Sequence, residues 1–398
     1  MDTELFAHLN PSPAEASSDG PLAGKTLVVW PSISVRGWPA EAGSTALKGF
    51  AALEDATVVE RLKKAGAALA GSSQMSELGF GLAGDTAALI LERGSADAAL
   101  VVDTLGEARV AAARVRRFGF KPTHGTISRC GLIGLIPSME CVGILADSPA
   151  AISRILACMA GLDERDPSML ERPAPDFPRA SEARGAVGVI QESEEKLSPE
   201  ASAEFKQALS KLESRGFRIV RTGLADFDLF STVHNVIGSV EASSSCGKYD
   251  GVRYGHRAAG AKNWNEMYIR TRAESFGLAV KSYLFQGAYF QFENYGAFEN
   301  ACRIRRRLAA GIEGIFKTVD MLAFPALSGE CGADEARSIE AVYDAFSLTL
   351  PANVTGHPAL QVPGLAVESK QDFGLQLVGP YGSDAGLLNL AGRMLADP

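Results

Sequence analysis

Short apolar runs alternate with helical segments along this chain, and that alternation restricts the fold more than any other feature of the sequence. Residues 25–30 (K-T-L-V-V-W) and 67–71 (A-A-L-A-G) each predict a buried strand. Between them, residues 55–66 have the apolar spacing of a helix, with Asp55 as its N-cap and Gly66 at its end. A succession of strand, helix and strand is typical of α/β proteins, in which helices cover a sheet.

The same alternation continues to the C-terminus and predicts a single α/β domain. Further strands are predicted at residues 98–104, 185–190, 217–220, 320–325, 359–363 and 374–380. Further helices are predicted at residues 86–92, 148–161, 201–216, 297–318 and 384–395. We therefore expect residues 21–398 to form a central mixed β-sheet flanked by helices on both sides. Residues 1–20, rich in proline, serine and alanine, are expected to be a flexible N-terminal arm.

Composition and charge exclude several classes of protein. The net charge is −8 and the isoelectric point about 5.4, so broad electrostatic binding of nucleic acid is not expected. The six cysteines have no C-x-x-C spacing and the five histidines are dispersed, so neither a metal site nor a cofactor is expected. The sequence has neither the apolar segment of a secretory leader nor a run of membrane-spanning length, which predicts a cytoplasmic protein.

Four arginines lie close together in the helix predicted at residues 297–318. They are Arg303, Arg305, Arg306 and Arg307. A run of charge on one helix is typical of a face in contact with solvent, which is the interpretation we favour. A contact with an anion or with RNA is the alternative.

Five stretches together resemble the amidase signature family. They are D-A-T-V-V-E-R-L-K-K-A-G-A (55–67), F-K-P-T-H-G-T-I-S-R-C-G-L (120–132), E-A-S-S-S-C-G-K-Y-D-G-V-R-Y-G-H-R (241–257), L-P-A-N-V-T-G-H-P-A-L-Q-V-P (350–363) and G-L-Q-L-V-G (374–379). Within the family they are most similar to the A subunit of the tRNA-dependent amidotransferase, which converts glutamyl-tRNA(Gln) or aspartyl-tRNA(Asn) to the amide. The resemblance covers about residues 21–396. It implies the amidase signature fold, glutamine amide hydrolysis as the activity, and B- and C-like subunits as partners.

The catalytic chemistry that the resemblance implies depends on three residues that are replaced in this chain. In the family a serine attacks an amide carbonyl, a second serine takes its proton, and a lysine relays the proton to the leaving amine. The resemblance places Glu107 at the nucleophile, in V-V-D-T-L-G-E-A-R, and Trp30 at the lysine. Depending on one gap, Leu82 or Ala83 stands at the bridging serine, and the family's longer loop before it is missing.

Around the nucleophile position, part of the family's sequence motif is present in this chain. Asp103, Thr104, Gly106 and Arg109 match it, whereas Leu105 replaces a glycine. If that glycine has positive φ in the family, leucine imposes a different turn and moves the backbone donors that stabilise an oxyanion.

The glutamine pocket is also altered. The stretch that supplies an arginine for the substrate carboxylate reads S-Y-L-F-Q-G-A here (282–288). The family's aspartate for the substrate amine aligns with Phe346, with Asp344 two residues away as a possible substitute. Both changes remove charges that would hold free glutamine.

Glu107 permits two interpretations. It is structural, paired with Arg109 on one strand face, or it is the centre of a repurposed site, since carboxylates act as nucleophiles in other enzymes. A fixed carboxylate opposes the negative charge that an oxyanion site stabilises, which favours the structural interpretation.

Other candidate groups lie in neighbouring matched segments. Thr86 and Ser128 are candidates for the pocket, and Cys130 with His124 is a weak candidate for a nucleophile–base pair. A buried thiol is the ordinary alternative for that cysteine.

The polar, glycine-rich segment D-G-V-R-Y-G-H-R (250–257) is kept although the triad is not. Asp250, Arg253 and Tyr254 are its candidate binding residues. A structural loop in which Asp250 pairs with Arg253 is one interpretation, and a retained surface for a ligand or partner is the other.

Three functions are compatible with the sequence. The first is a catalytically inactive binding or assembly protein related to an amidotransferase A subunit. The second is an amidotransferase subunit or amidase that works through substituted residues. The third is a protein that binds a small amide or amino acid in the old pocket, with Trp30 as one wall.

Overall fold

A mixed β-sheet of eleven strands organises the computed structural model, which describes residues 3–11, 19–81, 85–169, 185–329, 338–363 and 373–395. The strands are β1 (Phe6–Leu9), β2 (Thr26–Val29), β3 (Ala68–Ser73), β4 (Ala98–Asp103), β5 (Phe118–Lys121), β6 (Cys141–Ala146), β7 (Ala186–Ile190), β8 (Arg218–Thr222), β9 (Met321–Pro325), β10 (Ala359–Val362) and β11 (Leu375–Val378). Their order across the sheet is β1-β3-β2-β4-β6-β5-β10-β11-β9-β7-β8.

Helices of very different length connect and cover these strands. In the described residues they are α1 (Thr57–Lys64), α2 (Thr86–Glu92), α3 (Glu107–Arg114), α4 (Pro149–Met159), α5 (Gln191–Glu194), α6 (Pro199–Ser214), α7 (Leu229–Ser245), α8 (Trp264–Ser275), α9 (Leu278–Phe292), α10 (Tyr295–Ile315), α11 (Ile339–Phe346), α12 (Leu350–Thr355) and α13 (Asp384–Leu395). Short 3₁₀ turns lie at Thr3–Leu5, Thr45–Leu47, Glu77–Gly79 and Cys246–Lys248.

Parallel and antiparallel pairs alternate in blocks across the sheet. Strands β3, β2 and β4 are mutually parallel, as are β8, β7 and β9. The strands between the two blocks pair antiparallel. Because β2, β3 and β4 are parallel, their carboxyl ends share one edge of the sheet. Ligand sites of open α/β sheets are found at such an edge.

Strand β9 shows that the sheet is buried on both faces. Successive side chains of a strand point to opposite faces. Met321 and Ala323 lie in one apolar cluster, with residues of α1, α4, α6 and α13. Leu322 and Phe324 lie in a second cluster, with residues of α7, α9, α10 and α11. The predicted α/β domain with a central mixed sheet and helices on both sides is therefore confirmed.

The N-terminal residues differ from the flexible arm that we expected. Phe6–Leu9 form edge strand β1, which pairs antiparallel with β3. Phe6 is buried because its ring packs into the core beside β3. Pairing with an existing sheet edge satisfies the backbone groups of this segment. Residues 12–18 lie outside the described residues, and the domain boundary near residue 20 stays a prediction.

Two predicted helix starts had different outcomes. Ser148 caps α4 through its side chain, which accepts the N–H of Ala151 at 3.1 Å, as its position before Pro149 predicts. Asp55 does not cap α1, whose N-cap is Ala56. Instead the Asp55 carboxylate accepts the backbone N–H of Arg36 and forms an ion pair with Lys63.

Strands β5 and β6 were not predicted from the sequence, and each contains a glycine, a residue that is uncommon inside strands. The structure gives the reason for both glycines. A Cβ on Gly119 would lie 2.2 Å from the carbonyl oxygen of Ala108, and a Cβ on Gly143 would lie 2.6 Å from the Ala108 Cβ. Helix α3, which begins at Glu107, therefore lies against bare backbone of the sheet.

The arginine cluster is not uniformly solvated. Arg303 and Arg306 are exposed, and Arg307 forms an ion pair with Asp226 at 2.7 Å. The Arg305 guanidinium is largely buried and donates to the carbonyl oxygen of Val354 at 2.7 Å and to Ser138 at 2.8 and 2.9 Å. The interpretation as a solvated face is wrong for Arg305, which joins α10 to the end of α12.

The helices of the described residues include none that combines the length and the apolar character needed to cross a bilayer.

Candidate functional site

The turn between β4 and α3 lies at the shared carboxyl edge of the parallel strands. Asp103 is the last residue of β4 and Glu107 is the first residue of α3. The connecting residues, Thr104, Leu105 and Gly106, are buried. Because Gly106 takes φ 132°, the chain reverses sharply enough to turn successive backbone N–H groups toward one point. We call these three N–H groups, of residues 104–106, the backbone nest.

The carboxylate of Glu107 occupies the backbone nest. Its Oε2 atom accepts the N–H of Thr104 at 2.6 Å, of Leu105 at 2.8 Å and of Gly106 at 3.0 Å. Its Oε1 atom is buried and has no hydrogen-bond partner in the part of the chain that the structure describes. The expected pairing with Arg109 on a strand face is therefore wrong, because Glu107 starts a helix and folds back on its own turn.

Burial and a neighbouring carboxylate change the protonation of Glu107. The side chain is 3% exposed, and loss of solvation followed by the charge of Asp103 raises its pKa to about 8. The three backbone N–H groups act in the opposite direction but do not outweigh burial. Near neutral pH this carboxyl group therefore holds a proton for much of the time. Since Oε2 accepts three donors, the proton resides on Oε1.

Arg109 is held by a separate network beneath the nest. Its Nη2 atom contacts Asp103 Oδ1 at 3.0 Å and donates to the side-chain oxygen of Asn353. Its Nη1 atom donates to the carbonyl oxygen of Thr349 at 2.9 Å and to the side-chain oxygen of Gln376. Arg109 and Asp103 are both fully buried, so the ion pair is compensated entirely by protein groups.

Gly106 is fixed by space as well as by backbone conformation. A Cβ at this position would lie 2.2 Å from Thr349 Oγ1, whose hydroxyl donates to the carbonyl oxygen of Leu105 at 2.6 Å. We expect Gly106→Ala to lower the free energy of unfolding by about 3 kcal/mol, because a positive φ and a rigid clash act together. Denaturant unfolding measures this loss.

The matched control for Gly106 is Gly49. It also has a positive φ, 79°, but no atom lies within 4 Å of the position that an added Cβ would take. Gly49→Ala should therefore cost only about 1 kcal/mol, from backbone strain alone. Equal losses for the two variants would show that the contact with Thr349 is unimportant.

Trp30 follows β2 and lies wholly within the core. Its side chain is 0% exposed, and its indole Nε1 has no hydrogen-bond partner among the described residues. The edge of the ring faces Gly79, where an added Cβ would lie 3.6 Å from Trp30 Cζ3. Trp30 therefore fills space as a core residue and is not the wall of an open pocket.

A chain of three buried polar rings was not predicted from the sequence. His234 Nε2 contacts the carbonyl oxygen of Thr104 at 3.0 Å, and its Nδ1 contacts Tyr343 Oη at 2.9 Å. Tyr343 Oη lies 2.8 Å from Tyr283 Oη. Burial lowers the pKa of His234 to about 3, so the ring is neutral. Because a carbonyl oxygen only accepts, Nε2 carries the proton and Tyr343 donates to Nδ1.

Two of these rings lie in or beside the segments that the resemblance aligns with the family's substrate-binding residues, 282–288 and Phe346. Tyr283 lies in S-Y-L-F-Q-G-A and stacks on Phe80 at 4.4 Å between ring centroids. Phe346 is buried, while Asp344 is exposed to solvent and is replaced on the inner face by its neighbour Tyr343. The described structure therefore places aromatic rings, not charges, behind the nest.

The remaining pocket candidates have local structural contacts. The Thr86 hydroxyl donates to the carbonyl oxygen of Gln74 at 2.5 Å, and the Ser128 hydroxyl donates to Asp163 Oδ2 at 2.7 Å. The Thr86 hydroxyl joins α2 to the loop after β3, and the Ser128 hydroxyl joins two loops. Neither has a described contact with Glu107. Leu82 and Ala83, the alternatives for the bridging serine, lie outside the described residues.

The weak Cys130–His124 candidate is not assembled. His124 Nε2 contacts the carbonyl oxygen of Pro137 at 3.1 Å. The backbone N–H of Cys130 donates to Ser128 Oγ at 3.1 Å, and the thiol makes no described contact with an imidazole. A nucleophile needs its base within hydrogen-bond reach, so this pair has no support in the described geometry.

The loop at residues 250–257 is held by hydrogen bonds from its own backbone N–H groups to Asp250. Asp250 Oδ1 accepts the N–H of Val252 at 2.9 Å and of Arg253 at 3.5 Å. The Arg253 guanidinium lies over the ring of Tyr254 at 5.6 Å, and Asp250 contacts the backbone N–H of Arg253, so the side-chain pair of Asp250 with Arg253 stays a prediction. Tyr254 in turn packs edge-on against Phe50 at 5.3 Å. None of the described contacts of this loop is with Glu107 or with residues 104–106 of the nest.

No group of three or more histidine, cysteine, aspartate or glutamate side chains in the described part of the chain could hold a metal ion. The candidate site consists of the nest with Glu107, the buried Arg109 network and the three polar rings, which contact one another.

Comparison with known proteins agrees with this architecture. The family model described as Amidase matches residues 7–90 and 84–388. The A subunit of the glutamyl-tRNA(Gln) amidotransferase of Haloarcula marismortui is 32% identical over 99% of this chain and 100% of its own length. The same protein of Burkholderia pseudomallei is 32% identical over 94% of this chain and 84% of its own length.

A solved structure shows the same fold. The A subunit of the glutamyl-tRNA(Gln) amidotransferase of Thermotoga maritima superposes with a TM-score of 0.79 and 22% identity, over 97% of this chain and 86% of that chain. The family match extends over both the parallel block of the sheet and its antiparallel centre, and the relatives align over nearly the full length. This chain therefore belongs to the amidase family.

Proposed function

We propose that this chain is a non-hydrolytic member of the amidase family, related to an amidotransferase A subunit, that acts by binding partner proteins. The observation that carries the proposal is the position of the Glu107 carboxylate, whose Oε2 atom takes all three N–H groups of the backbone nest.

An acyl-transfer enzyme needs free donors where a carbonyl oxygen becomes negative. In this chain the donors of Thr104, Leu105 and Gly106 already hold an oxygen of the protein itself. A substrate oxygen would have to displace a buried carboxylate and would meet its charge whenever Glu107 is ionised. The nest thus supports the turn before α3 and not a reaction.

The groups that would complete hydrolysis are also unsuited to it. Glu107 is 3% exposed, so neither of its oxygens is presented to a substrate. Trp30, which the resemblance places at the lysine, has an indole N–H that does not deliver a proton to a leaving amine at neutral pH. The loss of both functions together supports a scaffold without amide hydrolysis.

The partners that we propose follow from the relatives. Curated relatives at 32% identity are A subunits of the glutamyl-tRNA(Gln) amidotransferase. We infer that this chain keeps surfaces for B- and C-like subunits, or for a working A subunit that it regulates. We place this assembly in the cytoplasm, since the five cysteines of the described residues are free thiols.

One observation favours an enzymatic function as the second candidate. Burial raises the pKa of Glu107 to about 8, and perturbed carboxyl groups of this kind serve as general acids or bases in other enzymes. In that case Glu107→Ala would abolish turnover while the variant stays folded.

An ammonia-release assay separates the two candidates. Purified protein is incubated with glutamine or asparagine, alone and with B and C subunits present, and compared with the triple variant Trp30→Lys, Ala83→Ser, Glu107→Ser. We expect no ammonia from the wild type above the buffer rate, and co-elution with the B and C subunits. Ammonia release that Glu107→Ala removes would overturn the proposal in favour of the second candidate.

A further inference from the structure

The described surface carries most of its exposed large apolar side chains in one region. Seven of the ten such residues fall between positions 264 and 295. They are Trp264, Ile269, Leu278, Phe285, Tyr289, Phe292 and Tyr295. An apolar patch of this kind on a water-exposed surface marks a site that another molecule covers. We call it the α8–α9 patch.

Helix α9 is the centre of the α8–α9 patch and is apolar on both sides. Its inner side buries Val280, Tyr283 and Leu284 against the core. Its outer side exposes Leu278 at 72%, Phe285 at 74% and Phe292 at 76%, in a helix whose one charged residue is Lys281. A row of large apolar side chains that faces water is normally covered by another molecule.

The outer side of α9 has a symmetric spacing about Phe285. Leu278 and Phe292 each lie seven residues from it, and Lys281 and Tyr289 each lie four residues from it. A two-fold axis at Phe285 that pairs α9 with an antiparallel copy would place Leu278 on Phe292 and Lys281 on Tyr289, twice each. In a two-fold interface each residue meets its counterpart reciprocally, as this spacing requires.

From this spacing we propose that the α8–α9 patch binds a second copy of the chain, by antiparallel packing of α9 on α9 about Phe285. The one cation of the stripe then lies over an aromatic ring, since Lys281 of each copy faces Tyr289 of the other. Ser282 and Ala288, on either side of the axis, are small and allow the two helices to approach closely.

A cavity beside Phe285 supplies the shape complementarity. It has a volume of about 340 Å³ and lies between α8 and α9, lined by apolar groups that include Ile269, Phe276 and Leu284. This volume accommodates an aromatic side chain, and Phe285 of the second copy lies at its mouth in the two-fold arrangement. The α8 charge that lines the cavity, Arg272, is engaged within the chain. Its guanidinium donates to the carbonyl oxygen of Cys246 at 2.6 Å and lies over the rings of Tyr268 and Phe276.

The exposed apolar area matches what a stable dimer needs. Large side chains present on the order of 150–250 Å² each. With the exposed fractions of the seven residues, which run from 53% to 76%, the patch offers roughly 800 Å². A standard specific interface buries about that area on each partner.

Sedimentation equilibrium of the full chain tests the proposal. We expect a species of twice 42.0 kDa at micromolar concentration. Phe285→Glu places two carboxylates on the axis and should weaken the dimer roughly 100-fold, while its far-UV circular dichroism spectrum stays that of the wild type because the site is exposed. The matched control is Leu53→Glu, at a side chain 79% exposed outside the patch, which should leave the dimer intact.

Disulfide trapping identifies the geometry in a Cys302→Ala background, since Cys302 is exposed. Phe285→Cys should cross-link to itself. Two copies of Phe292→Cys should not form a disulfide with each other. A mixture of Phe292→Cys and Leu278→Cys should form a disulfide between the two variants. A chain that is monomeric at all concentrations, or that assembles only when a B- or C-like subunit is present, would overturn the proposal. So would a dimer that Phe285→Glu does not weaken.

Discussion

Arg109→Ala is expected to lower the free energy of unfolding by about 3–5 kcal/mol. The substitution leaves the carboxylate of Asp103 buried without its ion-pair partner, and both side chains are 0% exposed in the folded chain. It also removes donors from the carbonyl oxygen of Thr349 and from the side-chain oxygens of Asn353 and Gln376. Denaturant unfolding followed by far-UV circular dichroism measures the loss.

Arg307→Ala is the matched control, since Arg307 also forms an ion pair with an aspartate, Asp226, but at side chains 61% and 43% exposed. It should cost less than about 1 kcal/mol. The double variant Asp103→Ala, Arg109→Ala should lose less than the sum of the two single variants by about 1–3 kcal/mol, because no charge remains unpaired. Strict additivity would contradict a coupled network.

Raising the pH from 5 to 8 is expected to destabilise the wild type by about 3 kcal/mol relative to Glu107→Gln. The pKa of Glu107 is about 8 in the folded chain against an ordinary value of 4.5. The folded state therefore holds the proton more tightly than the unfolded state. The stability that this proton contributes is complete below pH 4.5 and is lost as the pH rises toward 8.

Glu107→Gln is neutral at every pH and keeps an oxygen for the backbone nest, so the difference between the two proteins isolates this one carboxyl group. The measurement is the free energy of unfolding of both proteins at pH 5, 6, 7 and 8. Parallel curves would mean that Glu107 is ionised throughout. In that case Glu107 would be an ordinary ionised carboxylate that caps the start of α3.

Local sequence was sufficient for the fold class. The apolar runs that became β2, β3, β4 and β9 were visible in the sequence, since a buried strand is recognised from its own residues. The same holds for the capped helix after Ser148. Strands β5 and β6 were not predicted. The packing need that Gly119 and Gly143 meet, the close approach of Ala108, comes from another element and is not visible locally. Edge strand β1 was not predicted because it is stabilised by pairing with β3 and not by a pattern of its own residues.

The sequence by itself also determined the family and, through the resemblance, predicted that Trp30 and Glu107 stand where a lysine and a serine belong. Those conclusions depend on residues adjacent in the chain. What Glu107 does was decided only by the turn of Gly106, which aims three N–H groups at one oxygen. The partners of Arg109 lie up to 267 residues away, and no local pattern encodes such a pairing.

The same distinction applies to the ring chain and the α8–α9 patch. His234, Tyr343 and Tyr283 belong to three helices, α7, α11 and α9, that meet only when they pack together on one face of the sheet. The symmetric spacing about Phe285 can be read from the sequence. Which side of α9 is buried depends on the helices that pack against it. Only the packed fold shows which side α9 leaves to solvent, because burial is a property of the whole chain.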